Sequence, residues 1–358
     1  MIDQIKSRYF ITGVIRQGGM GTLYAAEDKV LGRRVAVKIL SFERSDEQRA
    51  HFRSTVEMMS HIRHPNVASV YDYGETEEGL SYVILERVTG LSVAEMLRVG
   101  SLPLNKSVHI AASVAGALRA FHAAGVLHND IKPSNILVDQ SGRVKLADFG
   151  ITRSVAEEVV ERFLGGELVV TGQRRLVADA LAHMAPEQVL FGASPNTRTD
   201  MFSLGVTIYE TLTGKLPFSG KSAEETEDEL LYSGRSAAEV VQQLLAANPQ
   251  RPSLLNPSVP EPLNDIVLKA LAKEPEHRFQ TADELLAALD PIRGVLRIAD
   301  ESPSEGGDEA TATGDAQRGG GPTGQGSPML YFLLEGERAR GDLVECGSDV
   351  DLLFDYSI

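Results

Sequence analysis

Residues Gly125–Asp139 read GVLHNDIKPSNILVD, and this stretch decides how the rest of the chain is read. From His128 to Asn135 it sets out a carboxylate (Asp130), an ammonium (Lys132) and a carboxamide (Asn135). These could act as a base, a cation and a metal ligand within one loop. Thirteen residues after Asn135 comes Asp148, the first residue of a DFG triplet and a second carboxylate able to hold Mg2+ between phosphates. Any one tripeptide can arise by chance; an ordered set is harder to obtain that way.

Upstream, the segments YFITGVIRQG, LYAAED, RRVAVKIL, ASVYDYGE and LSYVILERV alternate or run apolar and read as strands. One helical stretch, about 46–63, interrupts them. Between the first two strands lie Gly18, Gly19 and Gly21. Residues without a Cβ let backbone N–H groups come close to phosphate oxygens, although glycine-rich hairpin turns are common for other reasons. In Val35–Lys38 (VAVK), period-two alternation puts Ala36 and Lys38 on one face. A lysine turned inward must find a partner, whereas one on an exposed edge needs none.

From Ser92 onward the pattern is mostly helical: SVAEMLRVG, NKSVHIAASVAGALRAFHAAG, TDMFSLGVTIYETLTG, SAAEVVQQLLAA and PLNDIVLKALAK. The sequence therefore predicts an α+β fold with a small β-rich unit over 1–88 and a larger helical unit over 89–297. Ligands favour the cleft between two such units. Residues 298–328 shift to Gly, Ser, Thr, Pro and acids, the composition of a flexible acidic linker. Residues 329–358 hold two short apolar runs and read as the start of a further β-rich domain, a place for a partner to bind.

The 358 residues carry 35 basic and 50 acidic side chains, a formal net charge of −15, which argues against nucleic acid as the main partner. The single cysteine, Cys346, cannot form an intramolecular disulfide, and a reducing cytoplasm fits. The amino terminus MIDQIKSRYF lacks the apolar run of a signal peptide. The most apolar long window, HIAASVAGALRAFHAAGVL, contains His109, Arg119 and His122 and reads as a buried helix, not a membrane span.

Taken in order, the Gly loop, VAVK, HPNV, HNDIKPSN, DFG, APE, TDMFSLGVTIYE and EHRF resemble the bacterial eukaryotic-like (Hanks-type) serine/threonine protein kinases, over about Tyr9 to Leu289. The resemblance implies a bilobal protein kinase-like fold, with a β-rich N-lobe and an α-helical C-lobe. It implies transfer of the γ-phosphoryl group of Mg-ATP to a hydroxyl of a protein substrate that the sequence does not identify. By the same likeness, Lys38 would contact the α/β-phosphates, Asp130 would accept the substrate proton and Lys132 would meet the γ-phosphate. Asn135 and Asp148 would hold Mg2+. The backbone at Gly18, Gly19 and Gly21 would cradle phosphate. Leu23, Ala36 and Leu137 would enclose adenine, and the hinge Glu86–Val88 would hydrogen-bond it, with Leu85 as gatekeeper. Glu187 with Arg278 would form a structural ion pair, and Asp200 would brace the catalytic loop.

The chain also departs from that pattern. Arg16 stands where the first loop glycine is usual, a mild loss. Counting back nine residues from His64 to the usual glutamate of the N-lobe helix gives Thr55. Glu57 lies two positions on, about 200° round the helix, and should face away from Lys38. Asn129 replaces the arginine that receives a phosphorylated activation loop, so control by loop phosphorylation is not expected. Ala180 and His183 stand where Thr and Tyr are usual before APE, and Thr171 reads as a plain loop residue. The alternative reading is a pseudokinase that binds nucleotide weakly or not at all and acts as a signalling scaffold.

Overall fold

The computed structural model describes residues 4–5, 7–18, 21–40, 46–76, 79–148, 180–189, 194–218 and 235–301. Gly19, the Phe-Gly of the DFG triplet, Thr171, Cys346 and residues 302–358 lie outside them.

Six antiparallel strands make the first layer. They are β1 (Gln4–Ile5), β2 (Tyr9–Gly18), β3 (Gly21–Asp28), β4 (Arg33–Leu40), β5 (Val70–Glu75) and β6 (Ser81–Glu86), in the order β1-β2-β3-β4-β6-β5. Alternation along β4 does what the sequence predicts. Val35, Val37 and Ile39 pack on one side with Tyr9, Tyr82 and Ile84. Ala36 and Leu40 join Val83 and Leu85 in the main core on the other. Each buried Val, Leu or Ile among them contributes about 1.5–3 kcal/mol. Lys38, in step with Ala36, is thereby delivered to the main-core side, opposite Leu23 on β3 and Val83 on β6. Gly21 has φ +145°, and a Cβ there would overlap the Ile39 carbonyl oxygen. Strand packing alone therefore demands glycine at this position, whatever the loop binds.

Asp28 closes β3 with a side chain fully removed from solvent. It accepts both arms of Arg8 at 2.7 Å and the Val30 and Leu31 amides at 3.2 Å. The Arg8 hydrogen bonds outweigh burial, and with the two amides they hold the carboxyl at about 2. A folded pKa below the unfolded value gives stability that is complete above the unfolded pKa and is lost as pH falls through the folded one. Urea unfolding at about pH 5 and about pH 3 checks this. Wild type should lose more stability over that interval than Asp28→Asn, and equal losses would contradict the assignment.

The helical half is built around α3 (Leu104–Ala123) and α5 (Thr197–Thr213). The apolar window read as a buried helix is α3, with Val108, Ile110, Val114, Leu118 and Phe121 all inside. No described helix is long and apolar enough to cross a membrane. Helix α5 starts at an Asn196–Thr199 capping box and stops at Gly214 in the left-handed conformation. The shorter helices are α1 (Asp46–Ser60) against β5, α2 (Val93–Leu97), α4 (Pro186–Val189), α6 (Arg235–Ala246), α7 (Pro252–Leu255) and α8 (Glu261–Ala270). The last, α9 (Ala282–Glu301), lies along α3 and runs past 298, where the sequence suggests a linker.

Three short strands within the helical half are not anticipated by the sequence: β7 (Gly90–Ser92), β8 (Ile136–Asp139) and β9 (Val144–Leu146), paired in the order β7-β8-β9. They position the site. Strand β8 begins directly after Asn135, and β9 ends two residues before Asp148. Asn66, in HPNV, donates from its side chain to the Val144 carbonyl at 2.8 Å, and its own carbonyl accepts from the Leu146 amide at 2.8 Å. Ala68 N–H reaches the Leu146 carbonyl at 2.9 Å. The HPNV turn is thus tied to β9, the strand that leads into Asp148.

Candidate active site

Asp130 follows Asn129, whose φ of +63° turns the chain sharply at the head of the loop. Asparagine is among the few non-glycine residues that tolerate this conformation. The turn is held from below by Asp200 of α5, which is fully buried. Its carboxylate accepts the His128 amide at 3.0 Å, the Asn129 amide at 2.8 Å and His122 Nε2 at 2.8 Å. The bracing role that the resemblance implies for Asp200 is therefore carried by three contacts. His122 is a further support that the motif reading missed, since its link to Asp200 spans 78 residues.

Asp130 is then fixed by its own loop. Asn135 Nδ2 donates to the Asp130 carbonyl at 2.9 Å and to its Oδ2 at 2.8 Å, and Lys132 Nζ lies 3.3 Å from Oδ1. Asn135 and Lys132 are buried, while Asp130 stays partly open at its head. Because Asn135 spends its amide nitrogen on Asp130, its carbonyl oxygen is left as the acceptor. That oxygen and the Asp148 carboxylate are the hard ligands Mg2+ prefers, so the residues present fit such an ion.

Asp148 also has a left-handed backbone, φ +56°. Its Oδ1 accepts Lys38 Nζ at 2.8 Å and its Oδ2 accepts Arg16 Nη2 at 2.9 Å. Burial pushes its carboxyl up, but Lys38, Arg16 and Lys132 together outweigh burial and hold it below the usual range. Lys38 therefore has an acid partner, and it is Asp148. Glu57 is exposed on α1 and Thr55 half-buried, as the helical count predicts. Arg16, taken from sequence as a mild loss of a glycine, makes a direct contact with the candidate metal ligand.

Above Lys38, Ala36 is buried and Leu23 packs against the main core, on the same side of the sheet. Leu85 pairs with Ala36 across β4 and β6. Leu137 is half-exposed on β8. The Glu86 side chain is turned to Lys145 Nζ at 2.9 Å and to the Ser69 amide at 3.1 Å, and its own N–H donates to the Ser69 carbonyl at 2.8 Å. Val88 follows in the connection to β7, and Gly18 ends β2 opposite Gly21.

Remote from this cleft, Arg278 is wholly buried and grips Glu187 through two 2.7 Å hydrogen bonds. The same guanidinium donates to the carbonyls of Ala272, Lys273 and Arg198. His183 contacts Glu210 at 3.1 Å, which gives this replacement for tyrosine a structural place.

Residues 9–288 match the family model described as the protein kinase domain. The chain belongs to the protein kinase family. Among curated relatives, the kinase chain is 33% identical over 289 residues to the serine/threonine-protein kinase PrkC of Bacillus subtilis, covering 80% of this chain and 40% of that protein. It is 32% identical over 309 residues to the serine/threonine-protein kinase PknB of Mycobacterium tuberculosis, covering 85% of this chain and 45% of the relative. The chain thus spans less than half the length of these relatives. The match with bacterial serine/threonine kinases bears out the resemblance drawn from the motifs, and the β-rich and helical halves are the two lobes it implies.

Proposed function

We propose that this kinase domain transfers the γ-phosphoryl group of Mg-ATP to a serine or threonine hydroxyl of a protein substrate. The observation that carries the reading is the assembled loop. Asp130 is held by Asn135 and Lys132 in a turn braced by Asp200, with Asp148 set against Lys38. In this reading Asp130 accepts the hydroxyl proton and Lys132 steadies the phosphoryl group in flight. Lys38 leaves Asp148 for the α/β-phosphates, and Asn135 and Asp148 hold Mg2+. The backbone at Gly18, Gly19 and Gly21 covers the phosphates. Leu23, Ala36 and Leu137 enclose adenine, and the Glu86 and Val88 backbone hydrogen-bonds it. The metal supplies charge neutralisation between the phosphates.

Asn129 in place of arginine supports a kinase not controlled by activation-loop phosphorylation. The single cysteine and the need for ATP support a cytoplasmic setting, and 329–358 remain the candidate partner-binding segment. The pseudokinase alternative draws on Glu57, which is exposed on α1, while the described acid partner of Lys38 is Asp148.

Transfer of label from γ-labelled ATP, to the protein itself and to a generic basic substrate, separates the readings. Wild type should transfer and Asp148→Ala should not; equal signals would overturn the kinase reading. Stabilisation by Mg-ATP of about 2–3 kcal/mol at saturating ligand, without transfer, would favour the pseudokinase.

A further inference from the structure

Arg16 lies near the end of β2, where the strand register against β3 slips between Val14 and Arg16. Such a bulge bends a strand and re-aims the side chain beside it. Arg16 is opposite Leu23, which packs toward the main core, so its side chain leaves the sheet on the cleft side. From there it spans 132 residues of sequence to reach Asp148 Oδ2 at 2.9 Å. The two carboxylate oxygens are shared out, Oδ1 to Lys38 and Oδ2 to Arg16. The Asp148 side chain is 11% exposed, whereas that of Arg16 is 50% exposed. The carboxylate is thus enclosed, while the guanidinium at its outer side can withdraw into solvent without unpacking the fold.

We propose that Arg16 is an internal competitor of Mg2+ for Asp148, raising the metal concentration at which this kinase domain takes up nucleotide. The inference rests on the Mg-ATP reading above. A divalent ion that needs an oxygen of Asp148 meets a guanidinium already hydrogen-bonded to it, with Lys38 at the other oxygen and Lys132 close enough to act on the same carboxylate. Metal entry must displace the guanidinium and overcome its repulsion at short range. Arg16 is thus a positioning residue with a metal-dependent signature. Since it is half-exposed, its hold is modest and screened by salt.

The test uses the whole 358-residue chain with a non-hydrolysable ATP analogue at fixed concentration. Thermal denaturation is followed as MgCl2 is raised, and the Mg2+ concentration giving half of the stabilisation is read. Arg16→Gln should lower that midpoint about threefold, the scale of an exposed charge pair, and added NaCl should shrink the difference. Arg16→Lys, which keeps the charge without the planar fork, should fall between. In EDTA the Gln variant should bind the analogue no better than wild type, because the gain depends on metal. Equal midpoints for wild type and Arg16→Gln would overturn the competition. A higher midpoint in the variant would also overturn it, making Arg16 a phosphate ligand instead. If Mg2+ and the analogue stabilise neither protein, the Mg-ATP reading itself fails and the competition falls with it.

Discussion

Asp130→Asn is expected to lower phosphoryl transfer by roughly 10²–10⁴-fold, the usual contribution of a positioned proton acceptor. The substitution is close to isosteric. The loop around it is held by contacts that do not need the Asp130 charge: Asp200 beneath the His128 and Asn129 amides, and Asn135 on the Asp130 carbonyl. The melting temperature and the stabilisation by Mg-ATP should therefore stay near wild type while initial rates of label transfer collapse. A loss of less than about tenfold would mean that another group takes the proton.

The largest expected loss of stability comes from a residue far from the chemistry. Glu187→Ala should destabilise the fold by about 3–5 kcal/mol, because it strands a buried guanidinium. Arg278 has no exposed side-chain surface, and three backbone carbonyls cannot neutralise it. Burial works against the Glu187 carboxylate too, yet the Arg278 hydrogen bonds hold its pKa below the usual value, so the pair is charged at neutral pH. Combining Glu187→Leu with Arg278→Met should recover much of the loss, since the charge then leaves with its partner. Urea unfolding at neutral pH measures both variants. A single-variant loss below about 1 kcal/mol would show that solvent reaches the site on relaxation.

Much of this was legible in sequence, for identifiable reasons. Strand β4 declared itself through period-two alternation, and the same alternation set Lys38 on the cleft side. The helical count that turned Glu57 away from Lys38 used local geometry alone, and Glu57 is exposed. What sequence concealed was contact across distance. The partner of Lys38 lies 110 residues away, and nothing local to VAVK names it. Arg16 looked like a missing glycine because a motif comparison records what is absent from a position, not where a longer side chain reaches. Strands β7, β8 and β9 are three to four residues long, too short for alternation to show, yet they place the exit of the catalytic loop and the approach to Asp148.

Asn129 and Asp148 are two of the three non-glycine residues with positive φ among the described residues; Ser7 is the third. Such backbone costs about 1 kcal/mol or more at a non-glycine residue, and glycine escapes it. Asp148 adds the burial of a carboxylate to that cost. A library of this protein sorted only for heat resistance would thus carry a bias against its own chemistry at residue 148. Selection would reward relief of backbone strain, while turnover would depend on keeping the strained acid. Engineering for robustness should hold this position fixed and seek its gains elsewhere.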